Sequence, residues 1–470
     1  GSNRTGLMSS LSRSTHRRLL RLLVVFLVVV AGCGDDDTAD GDTVNDGDAA
    51  ESASPSIEPT AQPTEEASSP ATPTEEVVLT GSFRGVTADA IKLGVVYMDL
   101  EAVRALTDLD YGDFEATYGA IIDEVNASGG VLGRRIEPAF APYVPVGDAS
   151  MEEGCVRLTE DEQVFAAAGP LLFDGPLCYT ELYETAFVGP GQNRERMARS
   201  DAPWFATVTN LDDAAESAVR GFAEQGLYDG ATVAVVGVGT DESQLTDVVL
   251  PALEELGVNV AGHAIITTPL GDTVSSDAEV ANIAERFRAD GVDTVIALAN
   301  GSLQWVAGLT DTGYRPTNAF IDLQGVRAYL GTANERELEV FEGSVAGAHN
   351  QWHRWLDDPL IQECVGVVER ATDITIIDPV TAGPDDPDNI VSLQWACADI
   401  GLFVAVAEAA GPDLTYDSFR QAGEQLGAFA IPGFGPGFYG PDSPDGDPPI
   451  YYWTWDADAG IHVTDGTAFD

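Results

Sequence analysis

The sequence predicts an α/β protein of two doubly wound lobes with parallel sheets, and three observations carry that prediction. Short apolar runs alternate with segments of helical periodicity from about residue 90 onward. Glycines punctuate the ends of the runs, as tight strand-to-helix turns require. The alternation breaks and restarts near Val208, which divides strands too numerous for one ordinary sheet into two similar lobes.

The first lobe opens with AIKLGVVY (90–97), an apolar run of the kind that forms a buried parallel strand. FEATYGAIIDEVNASGG (114–130) follows as a helix: Tyr118, Ile121, Ile122 and Val125 share a face, and Gly129 and Gly130 stop it. RIEPAFA (135–141), QVFAAAG (163–169) and TAFVGPG (185–191) read as strands, with helices around Cys155 and Cys178 between them. PWFATVTN (203–210) ends the lobe. In the second lobe a helix from Asp212 precedes the strand ATVAVVGVG (231–239) and the helix LTDVVLPALEELG (245–257). VAGHAIIT (260–267), a helix near Ile283 to Ala289, DTVIALAN (293–300), NAFIDL (318–323) and SVAGAHN (344–350) continue the cycle. The apolar helices at 359–371 and 389–411 are expected to pack back onto the first lobe, and IYYWTWDADAGIHV (450–463) reads as an antiparallel ribbon.

The segment before these elements is an address and a tether. Arg13, His16, Arg17, Arg18 and Arg21 precede the apolar run LLVVFLVVV (22–30), which has the length of a signal-peptide core and is short for a membrane span. The run ends in VAGC (30–33), which resembles a bacterial lipobox and implies cleavage before Cys33 and lipidation of its thiol. The following stretch of Asp, Thr, Ser, Pro and Glu has no basic residue until Arg84 and too little apolar surface to offset its ordering entropy. Residues 1–32 are therefore expected to be a lipoprotein signal peptide and 33–88 an extended acidic tether. Lobe 1 is expected at 89–208 with 350–430 returning to it, lobe 2 at 209–349, and the terminal piece 431–470 near the hinge and lobe 2.

Composition excludes one class of partner. The 470 residues carry a formal charge of −54, with a single lysine, Lys92. Such a surface repels phosphate backbones, so nucleic acid is excluded as a partner. Acid-rich adaptation to salt, attraction for cationic ligands and a compositional bias favouring solubility all fit the charge. Cys155, Cys178, Cys364 and Cys397 form an even set in an exported chain, and pairing by proximity joins Cys155 to Cys178 and Cys364 to Cys397.

Enzyme and metal motifs are weak. VVGVGTDE (235–242) has two glycines of a dinucleotide turn, but Glu242 stands at the third position, so no nicotinamide cofactor is expected. His349 and His353 have helical metal-ligand spacing without an evident third ligand. No G-x-S-x-G elbow occurs, and the cysteines are assigned to disulfides, so neither catalysis nor any cofactor or metal is expected.

AIIDEVNASGGVLGRRIEPAF (120–140) resembles the helix, double-glycine turn and second strand of the type I periplasmic-binding family, in its leucine-binding-like (branched-chain amino acid) branch. The likeness runs through CVRLTEDEQVFAAAGPLL (155–172), PWFATVTN, DTVIALAN and GYRPTNAFIDLQG (313–325). The resemblance implies a clamshell crossed three times by the chain and a small-molecule ligand in the inter-lobe cleft. It also implies delivery to an ABC permease at the outer face of the membrane, by a monomer. A lipoprotein of the same fold that reports its ligand to a receptor is the alternative.

By position, the resemblance places Tyr97 after the first strand, Gly169, Pro170, Leu171 and Phe173 after the third, and Gly189, Gly191 and Gln192 after the fourth. From the second lobe it places Thr240, Asp241, Asn300 and Gln324 at the ligand, with Asn350 or Trp352 beside a crossover. Two departures follow. Gln324 is neutral near the position where amino-acid binders of the family carry an acid, and GPLLFDGPL (169–177) has few hydroxyls to hold a carboxylate. Asp174 or Asp241 is the candidate replacement for the lost charge, and amino acids, amides, aromatic acids and peptide fragments all stay open as ligands.

Overall fold

The fold was analysed on a computed structural model. It describes residues 79–469 apart from 80, 82, 105–109, 146–148, 172–173, 269–271, 331–332, 334, 350–351 and 384–385. The expected signal peptide, Cys33 and most of the expected tether lie outside the described residues.

Lobe 1 is built on a parallel sheet of β1 (Ala90–Met98), β2 (Arg135–Tyr143), β3 (Ala166–Ala168), β4 (Ala186–Gly189) and β5 (Trp204–Ala206). Their order is β2-β1-β3-β4-β5. Strand alternation explains how one sheet serves two cores. Ile91, Leu93 and Val95 face helix α1 (Phe114–Ala127), whereas Val96 joins Cys155, Leu158 and Phe187 on the opposite face. Asp113 caps α1, its carboxylate accepting from the Ala116 N–H at 2.9 Å.

Lobe 2 continues with α2 (Leu211–Glu224) and the strands β6 (Val233–Val238), β7 (Val260–Ile266), β8 (Thr294–Ala297), β9 (Thr317–Phe320) and β10 (Val345–Ala348). These five strands are parallel in the order β10-β9-β8-β6-β7. The helix expected near Ile283 begins at Thr273, where Asp272 caps it. Its first turns are polar and largely exposed, so apolar periodicity fades there before the helix does.

After β9 comes helix α3 (Gln324–Leu330), and after β10 the chain returns to lobe 1 through α4 (Pro359–Ala371) and α5 (Ile390–Ala410). Ile361 and Val368 of α4, and Leu393, Ile400 and Phe403 of α5, share the core of Ile91 and Val95. Helix α5 is apolar enough to cross a membrane, but its residues are mostly buried inside the lobe. A hairpin of β11 (Gly427–Ile431) and β12 (Gly435–Tyr439) follows. β13 (Tyr451–Asp456) and β14 (Ile461–Val463) then add an antiparallel edge to the second sheet, with β13 beside β10. Three chain crossings thus join the sheets.

One expected boundary shifts. Phe83 and Arg84 fall within the composition-defined tether, yet they pack on lobe 1. The Phe83 ring lies 4.6 Å from Tyr416, and Arg84 donates to the Tyr416 hydroxyl at 2.8 Å. An aromatic ring packed against Phe165 and Tyr416 outweighs the polar composition around it.

Candidate functional site

The carboxyl ends of the parallel strands face the crossings, where open α/β sheets bind ligands. In lobe 1 the connection from β1 to α1 is long, residues 99–113, and its described parts, 99–104 and 110–113, stand at the end of β1. With residues of the chain between α4 and α5 they line an open pocket of about 570 Å³.

Aromatic rings and carboxylates line this cavity. Tyr97 stacks on Phe114 with ring centroids 5.9 Å apart and meets Phe140 edge-on at 6.4 Å. Its hydroxyl donates to Glu115 Oε2 at 2.8 Å. Burial, then the adjacent Glu115 carboxylate, raises the Tyr97 phenol well above its ordinary range, so it stays protonated. Tyr111 and Phe114 also line the cavity, as do Asp99, Glu101, Asp110 and Asp113. Arg104 pairs with Glu101 and reaches Asp110 at 3.4 Å. Four carboxylates against one guanidinium leave the lining with a formal charge of −3. Asp99 and Asp110 also hold backbone N–H groups of their own loop and Asp113 holds one of α1, which fixes the negative charge in place.

The other expected positions of lobe 1 act through the backbone. Gly169 has φ +136°, and a Cβ there would lie 1.9 Å from the Val96 carbonyl oxygen. A Cβ on Gly189 would meet Gly169 O at 2.6 Å, and one on Gly191 would meet Val208 O at 2.7 Å. These glycines let the strand ends and the first crossing approach one another. Pro170 O accepts from the Tyr143 hydroxyl at 2.7 Å, and the buried Gln192 accepts the Leu211 N–H through its carbonyl at 3.2 Å. Leu171 is buried, and Phe173 lies outside the described residues.

In lobe 2, Asp241 is buried, and its carboxylate accepts from the Val238 N–H at 3.0 Å and the Asn300 side-chain amide at 2.7 Å. It therefore ties the turn after β6 to the turn after β8. Burial raises its pKa despite those donors. The Asp241 carboxylate is thus engaged within lobe 2, and Asp174 is paired with Arg196 at 2.5 Å. Thr240 and Asn300 are exposed. Gln324 opens α3, but its side chain and all of Asn350 lie outside the described residues.

Trp352 stands where the second crossing enters lobe 1, and the Arg327 guanidinium lies over its ring, 4.5 Å from the centroid. Arg327 also forms an ion pair with Asp388, the residue between the cavity-lining Pro387 and Asn389. Among the described residues, Tyr97 is thus the one expected contact that lines the cavity. The carboxylates of the 99–113 loop, together with Tyr111, Arg327 and Asp388, escaped sequence reasoning. The length of the β1-to-α1 connection was the signal that could have found the loop.

Both disulfides have the expected partners, Cys155 with Cys178 and Cys364 with Cys397. Burial holds the His349 and His353 imidazoles at about 4, hence neutral at neutral pH. Among the described residues, no group of three or more His, Cys, Asp or Glu side chains is arranged to hold a metal.

Comparison with known proteins accords with the two-lobed fold. A sequence model described as periplasmic binding protein matches residues 111–460. A search of curated proteins finds no match. Among solved structures, an ABC transporter substrate-binding protein from Desulfitobacterium hafniense, in complex with Leu, is similar at 13% identity and TM-score 0.57, covering 80% of this chain and 100% of that one. A solute-binding protein from R. palustris, in complex with 4-hydroxybenzoate, is similar at 16% identity and TM-score 0.56, covering 81% of this chain and 95% of that one. A leucine-binding protein from Thermotoga maritima is similar at 13% identity and TM-score 0.55, covering 81% and 99%.

Proposed function

Because the chain belongs to the periplasmic binding protein family, we propose that it is the solute-binding lipoprotein of an ABC transporter, capturing a small polar molecule between its lobes and delivering it to a membrane permease. The family is one of extracytoplasmic substrate-binding proteins, and the two-lobed fold is theirs. In this reading the chain acts as a monomer, anchored through lipid on Cys33, and performs no catalysis.

The observation that carries the reading is the pocket on the lobe 1 side of the cleft, at the end of β1, with its aromatic rings and formal charge of −3. Aromatic faces and fixed carboxylates suit a ligand with a cationic nitrogen, including the ammonium of an amino acid. The charge absent at Gln324 is supplied in this reading by the 99–113 loop. Neither Thr240, Asp241 nor Asn300 is needed for it, and Trp352 acts through Arg327.

Mass spectrometry of small molecules released when the purified protein is denatured tests the assignment. A polar compound is expected in near-stoichiometric amount from the wild type and in much smaller amount from an Asp99→Asn/Asp113→Asn variant. Equal release from both proteins would place the ligand elsewhere.

A further inference from the structure

We infer that Arg327 is the closure latch of the clamshell, a lobe 2 side chain whose anchorage in lobe 1 holds the lobes together beside the cavity; the inference rests on the two-lobed binding reading above. The backbone of Arg327 belongs to lobe 2. Its N–H donates to Leu323 O at 2.8 Å within the start of α3, and its neighbours Val326 and Tyr329 are buried in the lobe 2 core. The guanidinium turns the other way and is largely covered, with 18% of the side chain exposed.

Both groups that hold the guanidinium belong to lobe 1. Trp352 packs on the lobe 1 core and offers its ring face at 4.5 Å. Asp388 is fixed in lobe 1 at both ends of its peptide unit. Its N–H donates to Asp110 O at 2.6 Å, and its carbonyl accepts from the Val391 N–H at 3.2 Å at the start of α5. An arginine that stacks on an aromatic ring and pairs with a carboxylate is held in direction as well as in charge. Among the described residues, the other ion pairs between the lobes, Arg194 with Asp213 and Glu216, lie beside the first crossing.

The latch stands at the cavity wall. Asp388 is flanked by Pro387 and Asn389, and it hydrogen-bonds through its backbone to Asp110; these three residues line the cavity. Closure therefore brings a fixed positive charge to the rim of an electronegative chamber. Opening strips both partners from a largely desolvated guanidinium and leaves Asp388 uncompensated. By linkage, whatever organises the 99–113 loop and the 386–389 segment around a ligand also favours the latched state, and the latch favours the ligand equally.

The test reads the lobes directly and uses no ligand. Spin labels are placed at Leu182→Cys in lobe 1 and Val274→Cys in lobe 2, which are 69% and 79% exposed. The full chain also carries Cys33→Ser, which removes the cysteine outside the disulfides. Distances from double electron–electron resonance are compared among the wild-type background, Arg327→Gln, Asp388→Asn and the exchange Arg327→Asp with Asp388→Arg. Either single variant is expected to raise the open-to-closed ratio by about tenfold, and the exchange is expected to restore part of the closed population. Two wild-type populations that neither single variant moves would overturn the latch and leave the clamshell intact. One unmoved distance in every sample would remove the hinge motion itself, and the latch with it.

Discussion

The Tyr118 hydroxyl donates to Asp399 Oδ2 at 2.6 Å, joining α1 to α5 in the core of lobe 1. The second oxygen of Asp399 accepts from the Thr207 hydroxyl at 3.2 Å, and Thr207 lies at the start of the first crossing. A carboxyl in the middle of an apolar helix thus ties two helices to a hinge strand. Burial pushes its pKa up to about 8, since two hydrogen bonds offset only part of the desolvation.

That carboxyl makes stability depend on pH in a defined direction. Its folded pKa lies above the unfolded value of about 3.9, so the stability it contributes is complete below that value. It is lost as pH rises to about 8. Urea unfolding of wild type and Asp399→Asn at pH 5.5 and 8.5 should therefore give a difference that moves by about 3 kcal/mol in favour of the asparagine variant. A difference that stays constant with pH would mean that Asp399 is ionised throughout.

Two glycines on strand-to-helix turns should differ sharply in their tolerance of alanine. Gly169→Ala must force a Cβ into the Val96 carbonyl at a φ that side chains rarely adopt, and it should cost about 3 kcal/mol or more. Gly239, part of the dinucleotide-like VVGVGTDE, has nothing within 4 Å of the added carbon, so Gly239→Ala should change stability by no more than about 0.5 kcal/mol. Denaturant midpoints of the two variants check this contrast.

Asp241 offers a separation of roles. Asp241→Ala leaves the Val238 N–H and the Asn300 amide without their acceptor, and it should destabilise by about 1–3 kcal/mol. Ligand affinity, measured by calorimetry on the folded variant, should be unchanged. A large loss of affinity with little loss of stability would return Asp241 to the ligand site.

The disulfide between Cys155 and Cys178 closes a loop of sequence separation 23 and joins two helical stretches on one face of the first sheet. Replacing both with serine should lower stability by about 3 kcal/mol in the chain-entropy model, read from urea unfolding under oxidising conditions.

Much of the fold was legible because burial writes itself into composition. AIKLGVVY and ATVAVVGVG read as parallel strands since both faces of each are covered, and the structure has them as β1 and β6. The strand-end glycines were also visible, but their identity spoke of backbone clearance and not of ligand contact. The site was harder to read. Asp99, Asp110 and Asp113 are three of 77 acidic residues, so nothing in the sequence marks them out. Arg327 meets Trp352 and Asp388 only when lobe 2 stands against the returning chain of lobe 1, a tertiary relationship with no local pattern. Asp241 looked like a free charge after a strand, and only the structure places Asn300 across from it.

The most direct test of the account is thermal unfolding of the protein, refolded from denaturant to remove any bound compound. It would be followed against amino acids, amides, polyamines, aromatic acids and sugars. A ligand at one hundred times its dissociation constant stabilises by about 2.7 kcal/mol, enough to raise the midpoint by several degrees. The account predicts a stabilising compound that carries a cationic nitrogen and loses its effect on Asp99→Asn/Asp113→Asn protein. Silence across the panel from folded protein, or a stabilising compound indifferent to those two substitutions, would contradict it.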